Sequence, residues 1–256
     1  MADLQALWAT PLAEGISNLH LFWLVLTSAL TSFITAAMGI GGGVMLLAVM
    51  ASILPPLALI PVHGLVQFGS NANRALMTRR HIHWPMVLRF SLGALLGALI
   101  ASQVLIQLPV DWIQRAVALF ILYMVWGPKP KKLVVSGAKT VFAGGLTTLI
   151  SMFVGATGPL VAAFIHRMDK DKLSTTATFS ACMSFQHVTK AAVFGAVGFS
   201  FASWILPILL MIAAGAFGTW LGLKLLNRIP GHLFRRGFAL IVTLLALRLL
   251  WQSFSG

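Results

Sequence analysis

Acidic side chains are almost absent from this sequence, which has five Asp and Glu against 18 Lys and Arg in 256 residues. Charged residues of either sign make up only 9% of the chain and hydrophobic residues 59%. A water-soluble domain carries about 25% charged residues, so the composition excludes that class. The single cysteine excludes an internal disulfide and a Cys-based metal site.

The apolar residues are arranged in long charge-free runs. No Asp, Glu, Lys or Arg occurs between Gly15 and Asn73, and further such runs cover residues 90–110, 140–166, 173–189 and 191–223. Each run is long enough for a membrane-spanning helix of about 20 residues, or for a broken or re-entrant one. The sequence lacks the short alternating segments that are typical of transmembrane strands. We therefore predict an all-α polytopic membrane protein that forms a single transmembrane transporter domain over residues 1–256.

The basic residues lie between the apolar segments. Four clusters, at 74–89, 129–139, 167–172 and 224–236, hold 15 of the 18 Lys and Arg. Such loops are typical of the positive-inside bias, so the net charge of +13 indicates orientation, and no nucleic-acid partner is expected. The N-terminal residues contain no basic side chain and differ from a secretory signal, so we expect the N-terminus to lie outside.

An internal repeat relates two halves of the chain, at about 20–128 and 139–256, which a cytoplasmic loop at 127–139 joins. At an offset of 116 residues, the matching positions are Gly39 and Gly155, Gly42 and Gly158, Asn71 and His187, and Arg74 and Lys190. The match continues at slightly larger offsets with Trp84 and Trp204, Gly97 and Gly218, and Pro109 and Pro230.

Each half is predicted to contain a helical hairpin broken by glycine and then three transmembrane helices. The predicted segments are 20–54 (broken at 39–43), 57–77, 86–107 and 112–127, followed by 140–166 (broken at 155–159), 174–195, 204–224 and 233–252. With the N-terminus outside, this path places every basic cluster inside and the C-terminus outside. The odd number of crossings makes the two repeats inverted, as in many secondary transporters.

Polar side chains form one stripe on the segment that follows the broken hairpin in each half, 57–77 and 174–195. The stripes consist of His63, Gln67, Ser70, Asn71 and Arg74 in the first half, and of Thr176, Ser180, Ser184, His187 and Lys190 in the second, with Gln186 nearby. Their spacing places each set on one helical face. Polar groups at membrane depth normally face the protein interior or a watery cavity, so we expect the stripes to line a cavity. The alternative for single Ser and Thr residues is a hydrogen bond between helices, and Arg74 could also extend towards the lipid headgroups.

The glycine breaks "GIGGG" (39–43) and "GATGP" (155–159) provide the second element of the candidate site. A helix that begins at membrane depth directs unpaired N–H groups and partial positive charge at the break, which attracts an anion. Matched interruptions in two repeats are a sequence indication of a transport site. The candidate substrate-binding residues are therefore Gly41, Gly42, Gly43, His63, Gln67, Ser70, Asn71, Arg74, Thr157, Gly158, Gln186, His187 and Lys190.

No predicted span contains Asp or Glu, because the five acids are Asp3, Glu14, Asp111, Asp169 and Asp171. A cation site or carboxylate proton relay would normally need one, so the candidate ligand is an anion. Either His63 or His187 is a candidate proton carrier. The pair His81 and His83 lies in a cationic loop without carboxylates, which indicates an interfacial turn. No metal or cofactor is expected.

The chain resembles the TauE/SafE family, also called the 4-toluene sulfonate uptake permease family. The resemblance covers nearly the whole chain and depends on "MGIGGGVML" (38–46), the segment 54–76 that includes "HGLVQFGSNANRA", "HIHW" (81–84) and the weaker "GATGPLV" (155–161). It implies an inverted-repeat permease for small sulfur-containing anions such as sulfite, sulfonates or sulfoacetate, working as a homodimer. Family members often have Gly-Gly in the second motif, where this chain has Thr157-Gly158-Pro159, which predicts two unequal half-sites.

The resulting hypothesis is a multi-pass permease of the bacterial inner membrane that moves such an anion by alternating access. Arg74 and Lys190 would attract the anion at opposite mouths. A second hypothesis, an intramembrane enzyme acting on a lipid or quinone, would need a nucleophile with a base, and the sequence offers only Cys182 and His187 without a nearby acid. A third hypothesis is a non-transporting membrane subunit or scaffold, in which the polar stripes are packed and dry.

Overall fold

The computed structural model describes residues 16–38, 41–104, 110–128, 137–165, 171–226 and 231–255. These residues form ten α-helices: α1 (Asn18–Met38), α2 (Gly42–Ala51), α3 (Pro56–Met77), α4 (Trp84–Val104), α5 (Val110–Trp126), α6 (Gly137–Val154), α7 (Gly158–Ile165), α8 (Lys172–Ala196), α9 (Ile205–Lys224) and α10 (Gly231–Ser255). Short 3-10 turns at Arg79–His81 and Ala202–Trp204 precede α4 and α9. The predicted all-α class is confirmed.

Over the described residues, the predicted segments agree with these helices within three residues at each end. The predicted ends at 107 and 166, residues 39–40 of the first break and most of the predicted loop at 127–139 lie outside the described residues. The two hairpins are each a long helix followed by a short one, α1 with α2 and α6 with α7, and both short helices begin at a matched glycine, Gly42 and Gly158. In the described part of the chain, four helices are long and apolar enough to cross a bilayer: α1, α4, α6 and α9 with its preceding turn. Both α3 and α8 are also long, but their polar stripes lower their mean hydropathy.

Helices α1 and α9 pack side by side in the same direction. Gly218 lies against the backbone of Ala29, and Gly222, four residues further on, lies against Phe33. A methyl group at Gly218 would overlap the carbonyl oxygen of Ala29. Small residues of this kind let membrane helices approach closely.

Helices α4 and α6 form the corresponding pair. Gly93 lies against Val141, and Gly97 lies against Gly145, so these helices are also parallel. Gly97 and Gly145 are the repeat counterparts of Gly218 and Ala29 at the offsets found in the sequence. The two halves therefore use matched positions for matched contacts.

The two helices with polar stripes, α3 and α8, pack against each other and run in opposite directions. Gly64 lies beside the side chain of Lys190, whereas Arg74, later in α3, bonds to Ser180, earlier in α8. Beyond the end of α3, the backbone N–H of His83 donates to the hydroxyl of Thr178 at 3.0 Å. Each half thus presents its stripe directly to the other.

Helices α5 and α10 are also antiparallel. Arg115 donates to the carbonyl of Ser253 at 2.9 Å, and the indole of Trp126 donates to the hydroxyl of Thr243 at 2.8 Å. The outer faces of the bundle expose large apolar side chains, including Leu88, Leu92, Leu96, Leu99, Phe217 and Trp251. Apolar exposure on this scale is incompatible with water and fits a bilayer environment.

Asp171 caps the exposed N-terminus of α8. Its carboxylate accepts the hydroxyl of Ser174 at 2.6 Å and the Ser174 N–H at 2.9 Å. These hydrogen bonds, the hydroxyl first, lower the pKa of Asp171 below its usual 3.8, and nearby His81 acts in the same direction. A lowered pKa contributes stability above the unfolded-state value, and that contribution is lost as pH falls through the folded-state value.

We therefore expect Asp171→Asn to lower the melting temperature slightly at neutral pH, because asparagine is also a good cap but carries no charge for the helix N-terminus. The difference from the wild type should begin to shrink below about pH 4, where the unfolded aspartate becomes protonated, and should disappear once the pH falls below the lower folded-state pKa. Melting curves between pH 7 and pH 3 measure this convergence. A difference that stays constant over that range would contradict the assigned charge effect.

Candidate functional site

The two glycine breaks meet near the middle of the bundle. Gly41 precedes α2 with φ 108°, and Gly155 follows α6 with φ 85°. Both angles lie in the left-handed region, which residues with a side chain rarely adopt. The chain can therefore end one helix here and begin another. The N–H groups of Gly42, Gly43 and Gly158 lie at helix-start positions that lack an intrahelical acceptor. Val44 and Leu160 instead donate to the cap carbonyls, and Pro159 has no N–H.

A small cavity of about 30 Å³ lies between these breaks. Its lining comes from both breaks and from the facing stripes of α3 and α8, and consists of Thr35, Gly41, Gly43, Val44, His63, Gln67, Asn71, Ala156, Gly158, Pro159, Phe179, Met183 and His187. The lining combines polar and apolar side chains. We take this cavity as the candidate anion site.

Opposite walls of the cavity differ in polarity, although they occupy matched positions of the repeat. The α3 wall consists of His63, Gln67 and Asn71, whereas the positions 116 residues later on α8 are Phe179, Met183 and His187. Only the third pair is polar on both sides. One wall can therefore donate hydrogen bonds to an anionic head, and the other can contact an apolar substituent.

The two histidines of the cavity form a T-shaped pair, with their ring centroids 6.1 Å apart and their planes 80° to each other. His63 Nε2 is 3.0 Å from the carbonyl oxygen of Gly43, at the start of α2. The Nδ1 atoms of both rings are buried and have no partner among the described residues. Two imidazole nitrogens are thus available for hydrogen bonding at the centre of the protein.

Gln67 and Asn71 form one amide pair on α3. Asn71 Nδ2 donates to the Gln67 backbone carbonyl at 2.8 Å and to its side-chain oxygen at 3.2 Å. The Gln67 carboxamide also lies against Gly43, where a methyl group would be 3.5 Å away. These contacts hold the polar wall of the cavity close to the first break.

Arg74 lies behind Asn71 and is 1% exposed. Its guanidinium donates to Asn71 Oδ1 at 3.2 Å and to the hydroxyls of Ser70 and Ser180 at 3.4 Å each. The Ser70 hydroxyl also bonds to Ser32 at 2.8 Å. The Arg74 Nε has no partner among the described residues, so this cation is enclosed by neutral groups through long hydrogen bonds.

Lys190 is the repeat counterpart of Arg74 and is completely buried. Its ammonium group donates to the carbonyl oxygen of Gly155, at the second break, over 2.6 Å. Next to it, Gln186 Nε2 donates to the hydroxyl of Thr157 at 2.7 Å, while Gln186 Oε1 is without a partner in the described part of the protein. The second break is therefore held to α8 by two side chains.

No described carboxylate balances the two buried cations. Among the side chains that the structure describes, the only carboxylate is that of Asp171, at the exposed start of α8. The described residues also contain no cluster of three or more His, Cys, Asp or Glu that could hold a metal ion. Buried charge without a counterion is costly, so the positive potential of this region favours an anion as ligand.

The structure brings all of the sequence-predicted site residues to the cavity or directly behind it. Gly41, Gly43, His63, Gln67, Asn71, Gly158 and His187 line it. The others, Gly42, Ser70, Arg74, Thr157, Gln186 and Lys190, are not among the lining residues but support it through packing and hydrogen bonds. Neither cation lies at an exposed mouth, because both side chains are buried.

Sequence reasoning missed Thr35 and the apolar lining residues, chiefly Phe179 and Met183. The repeat itself could have found these two, because they correspond to His63 and Gln67 at the offset of 116 residues. Cys182, the candidate nucleophile of the enzyme hypothesis, packs in an apolar cluster and is not among the residues that line the cavity.

A bundle of apolar helices around a cavity at two helix breaks, with two buried cations behind its wall, defines a polytopic membrane transporter. The chain belongs to the family described as "Sulfite exporter TauE/SafE", which it matches over residues 24–249. The resemblance seen in the glycine run and in the segment 54–76 is thereby confirmed. Members of this family are membrane transporters of sulfur-containing anions, not enzymes. No curated protein and no solved structure matches the chain.

Proposed function

We propose that the chain moves a small sulfur-containing anion, such as sulfite, a sulfonate or sulfoacetate, across the bacterial inner membrane by alternating access. The observation that supports this most strongly is the central cavity, which two helix breaks and two polar helices line. Two buried cations stand behind it without a described carboxylate. A cation carrier would need the opposite charge balance.

The residues around the cavity have distinct proposed roles. The N–H groups at the starts of α2 and α7 bind the oxygen atoms of the anion through backbone donors. The side chains of Gln67, Asn71 and His187 add directional hydrogen bonds. Arg74 and Lys190 supply positive potential from behind the wall, since charges act more strongly in a medium of low dielectric constant.

The helix directions support an inverted repeat as the basis of alternating access. The counterparts α3 and α8 are antiparallel, and so are α5 and α10, which is the relation that an axis in the membrane plane would produce. The positive-inside bias then orients both termini outside, with the basic ends of the helices in the cytoplasm. We further propose a homodimer in the lipid bilayer, which the family resemblance implies.

The test is transport in proteoliposomes. Vesicles containing the purified protein should exchange radiolabelled sulfite, or a labelled small sulfonate, against the same unlabelled anion inside, while sulfate and chloride compete weakly. Vesicles without protein give the background. Exchange at background rates for every sulfur anion would contradict the proposal.

The scaffold alternative makes a different prediction about the polar stripes. If the cavity is part of a transport path, cysteines introduced at positions 67 and 71 should react with water-soluble thiol reagents, and a sulfur anion should slow that reaction. Buried native Cys182 should react slowly in the parent protein and serves as the baseline. Introduced cysteines as inert as Cys182 would favour a packed, non-transporting subunit.

A further inference from the structure

The second break has two chemically opposite ends, and only one of them suits an anion. Helix α7 begins at Gly158 and directs the N–H group of that residue at the break, whereas α6 ends at Val154 and directs its carbonyl end there. The Gly155 carbonyl belongs to this negative end. In many transporters with broken helices, such carbonyls coordinate the sodium ion or proton that is coupled to transport.

In this protein a side chain occupies that place. The Lys190 ammonium group donates to the Gly155 carbonyl oxygen at 2.6 Å, a short distance that is typical of charge-assisted hydrogen bonds. Lys190 is fully enclosed, and no described carboxylate lies beside it. Its strongest described contact is therefore the carbonyl end of the break.

Gly64 makes room for this arrangement. The Lys190 side chain crosses α3 at Gly64, where a methyl group would be only 2.9 Å from Lys190 Cε. The repeat counterpart of Gly64 is Ser180, and there the hydroxyl bonds to Arg74 instead. The two halves therefore hold their cations differently. The cation of the first half lies among the side-chain oxygens of Asn71, Ser70 and Ser180, not at a backbone carbonyl of a break.

We propose that Lys190 is a tethered cation that replaces a sodium ion at the α6–α7 break, so that anion binding by this transporter does not require sodium. The ammonium group neutralises the carbonyl end of α6 and leaves the N–H end of α7 as the attractive side for the substrate. The inference rests on the proposed function in that it takes the break as part of an anion site. The inference adds that this site does not use sodium as a coupling ion.

The first test needs no substrate. Melting temperatures of the purified wild type should be equal in sodium, potassium and choline chloride at the same ionic strength. In Lys190→Ala the lost side chain leaves space beside the Gly155 carbonyl, so propylammonium chloride should raise the melting temperature of this variant but not that of the wild type. Lys224→Ala, which removes an exposed lysine that stacks on Trp220, is the matched control and should not respond to the amine.

Gly64→Ala gives a second route if Lys190→Ala does not fold. The added methyl group meets the flexible end of the Lys190 side chain, not backbone, so the fold should remain while the ammonium group moves away from Gly155. In this variant, sulfite or a sulfonate should raise the melting temperature less than in the wild type. A Gly195→Ala control, in the same helix as Lys190 and with its nearest neighbour 3.8 Å away, should respond as the wild type does.

Two results would overturn the proposal: a wild type whose melting temperature rises specifically in sodium, or a folded Lys190→Ala that no amine stabilises. If the amine result holds but no sulfur anion shifts the wild type, the tethered cation stands and the proposed substrate class fails. The two ideas are therefore tested separately.

Discussion

Replacing Arg74 with methionine is expected to abolish most transport while leaving the protein as stable as the wild type or more stable. Arg74 is buried among neutral oxygens at 3.2–3.4 Å, with its Nε unpartnered in the described structure. Replacing a buried ion pair by apolar residues of similar volume is often neutral or stabilising, by about 1–4 kcal/mol, and a buried cation without a counterion is costlier to keep than a pair. Ser70 keeps its bond to Ser32, and Asn71 keeps its bond to Gln67.

The loss of transport follows from the loss of positive potential behind the cavity. A unit charge about 6–12 Å from the anion contributes about 1.4–3 kcal/mol at an effective dielectric constant of about 20, so anion binding should weaken by about 10- to 100-fold. The measurement is paired: the melting temperature of the purified variant and its exchange rate in proteoliposomes. Arg80→Met, an exposed position in the following turn, is the control and should change neither. A variant that unfolds in proportion to its lost transport would assign Arg74 a structural role instead.

The adjacent glycines at the first break are expected to respond very differently to the same substitution. A methyl group at Gly42 would overlap the Thr31 carbonyl and the Thr35 hydroxyl of α1. Because the obstacle is backbone, α2 would have to move away from α1, and such overpacking costs about 1–3 kcal/mol or more. We expect Gly42→Ala to yield little monodisperse protein and a clearly lower melting temperature.

Gly43→Ala should fold normally and lose affinity. Its methyl group would lie 3.5 Å from the Gln67 carboxamide, an ordinary contact, but it would project where Gly43 lines the cavity. The anion could then approach the backbone less closely, and a loss of about 1.4 kcal/mol would weaken binding about tenfold. Size-exclusion profiles and anion-dependent melting curves of both variants separate the two effects. Equal stability of Gly42→Ala and Gly43→Ala would contradict the packing described for the break.

The sequence predicted the helices and both breaks well because these depend on local properties. Charge-free runs of membrane length, glycine at 39–43 and 155–159, and basic residues between the runs are all visible without tertiary contacts. The internal repeat also reflects tertiary packing, because matched residues such as Gly97 and Gly218 make matched contacts between helices. Inverted symmetry itself stays a prediction that these contacts support.

The site was less predictable, because it depends on how far side chains reach. The position of Lys190 along α8 predicts an outer mouth, but its long side chain crosses Gly64 and reaches the Gly155 carbonyl in the interior. Phe179 and Met183 were overlooked because apolar residues in a membrane helix give no signal of their own. Their role as a wall appears only when α3 and α8 are brought face to face.

The most direct test of an anion site between the two breaks is ligand-dependent stability. A ligand that binds only the folded state raises the melting temperature with its occupancy. Purified protein should be heated with sulfite, thiosulfate, sulfate, sulfoacetate, taurine and an aryl sulfonate, with chloride as the reference. We expect one or more sulfur anions to raise the melting temperature selectively. Asn71→Ala should remove this rise, while the unliganded variant remains folded. A rise of equal size in Asn71→Ala, or no rise with any sulfur anion, would contradict it.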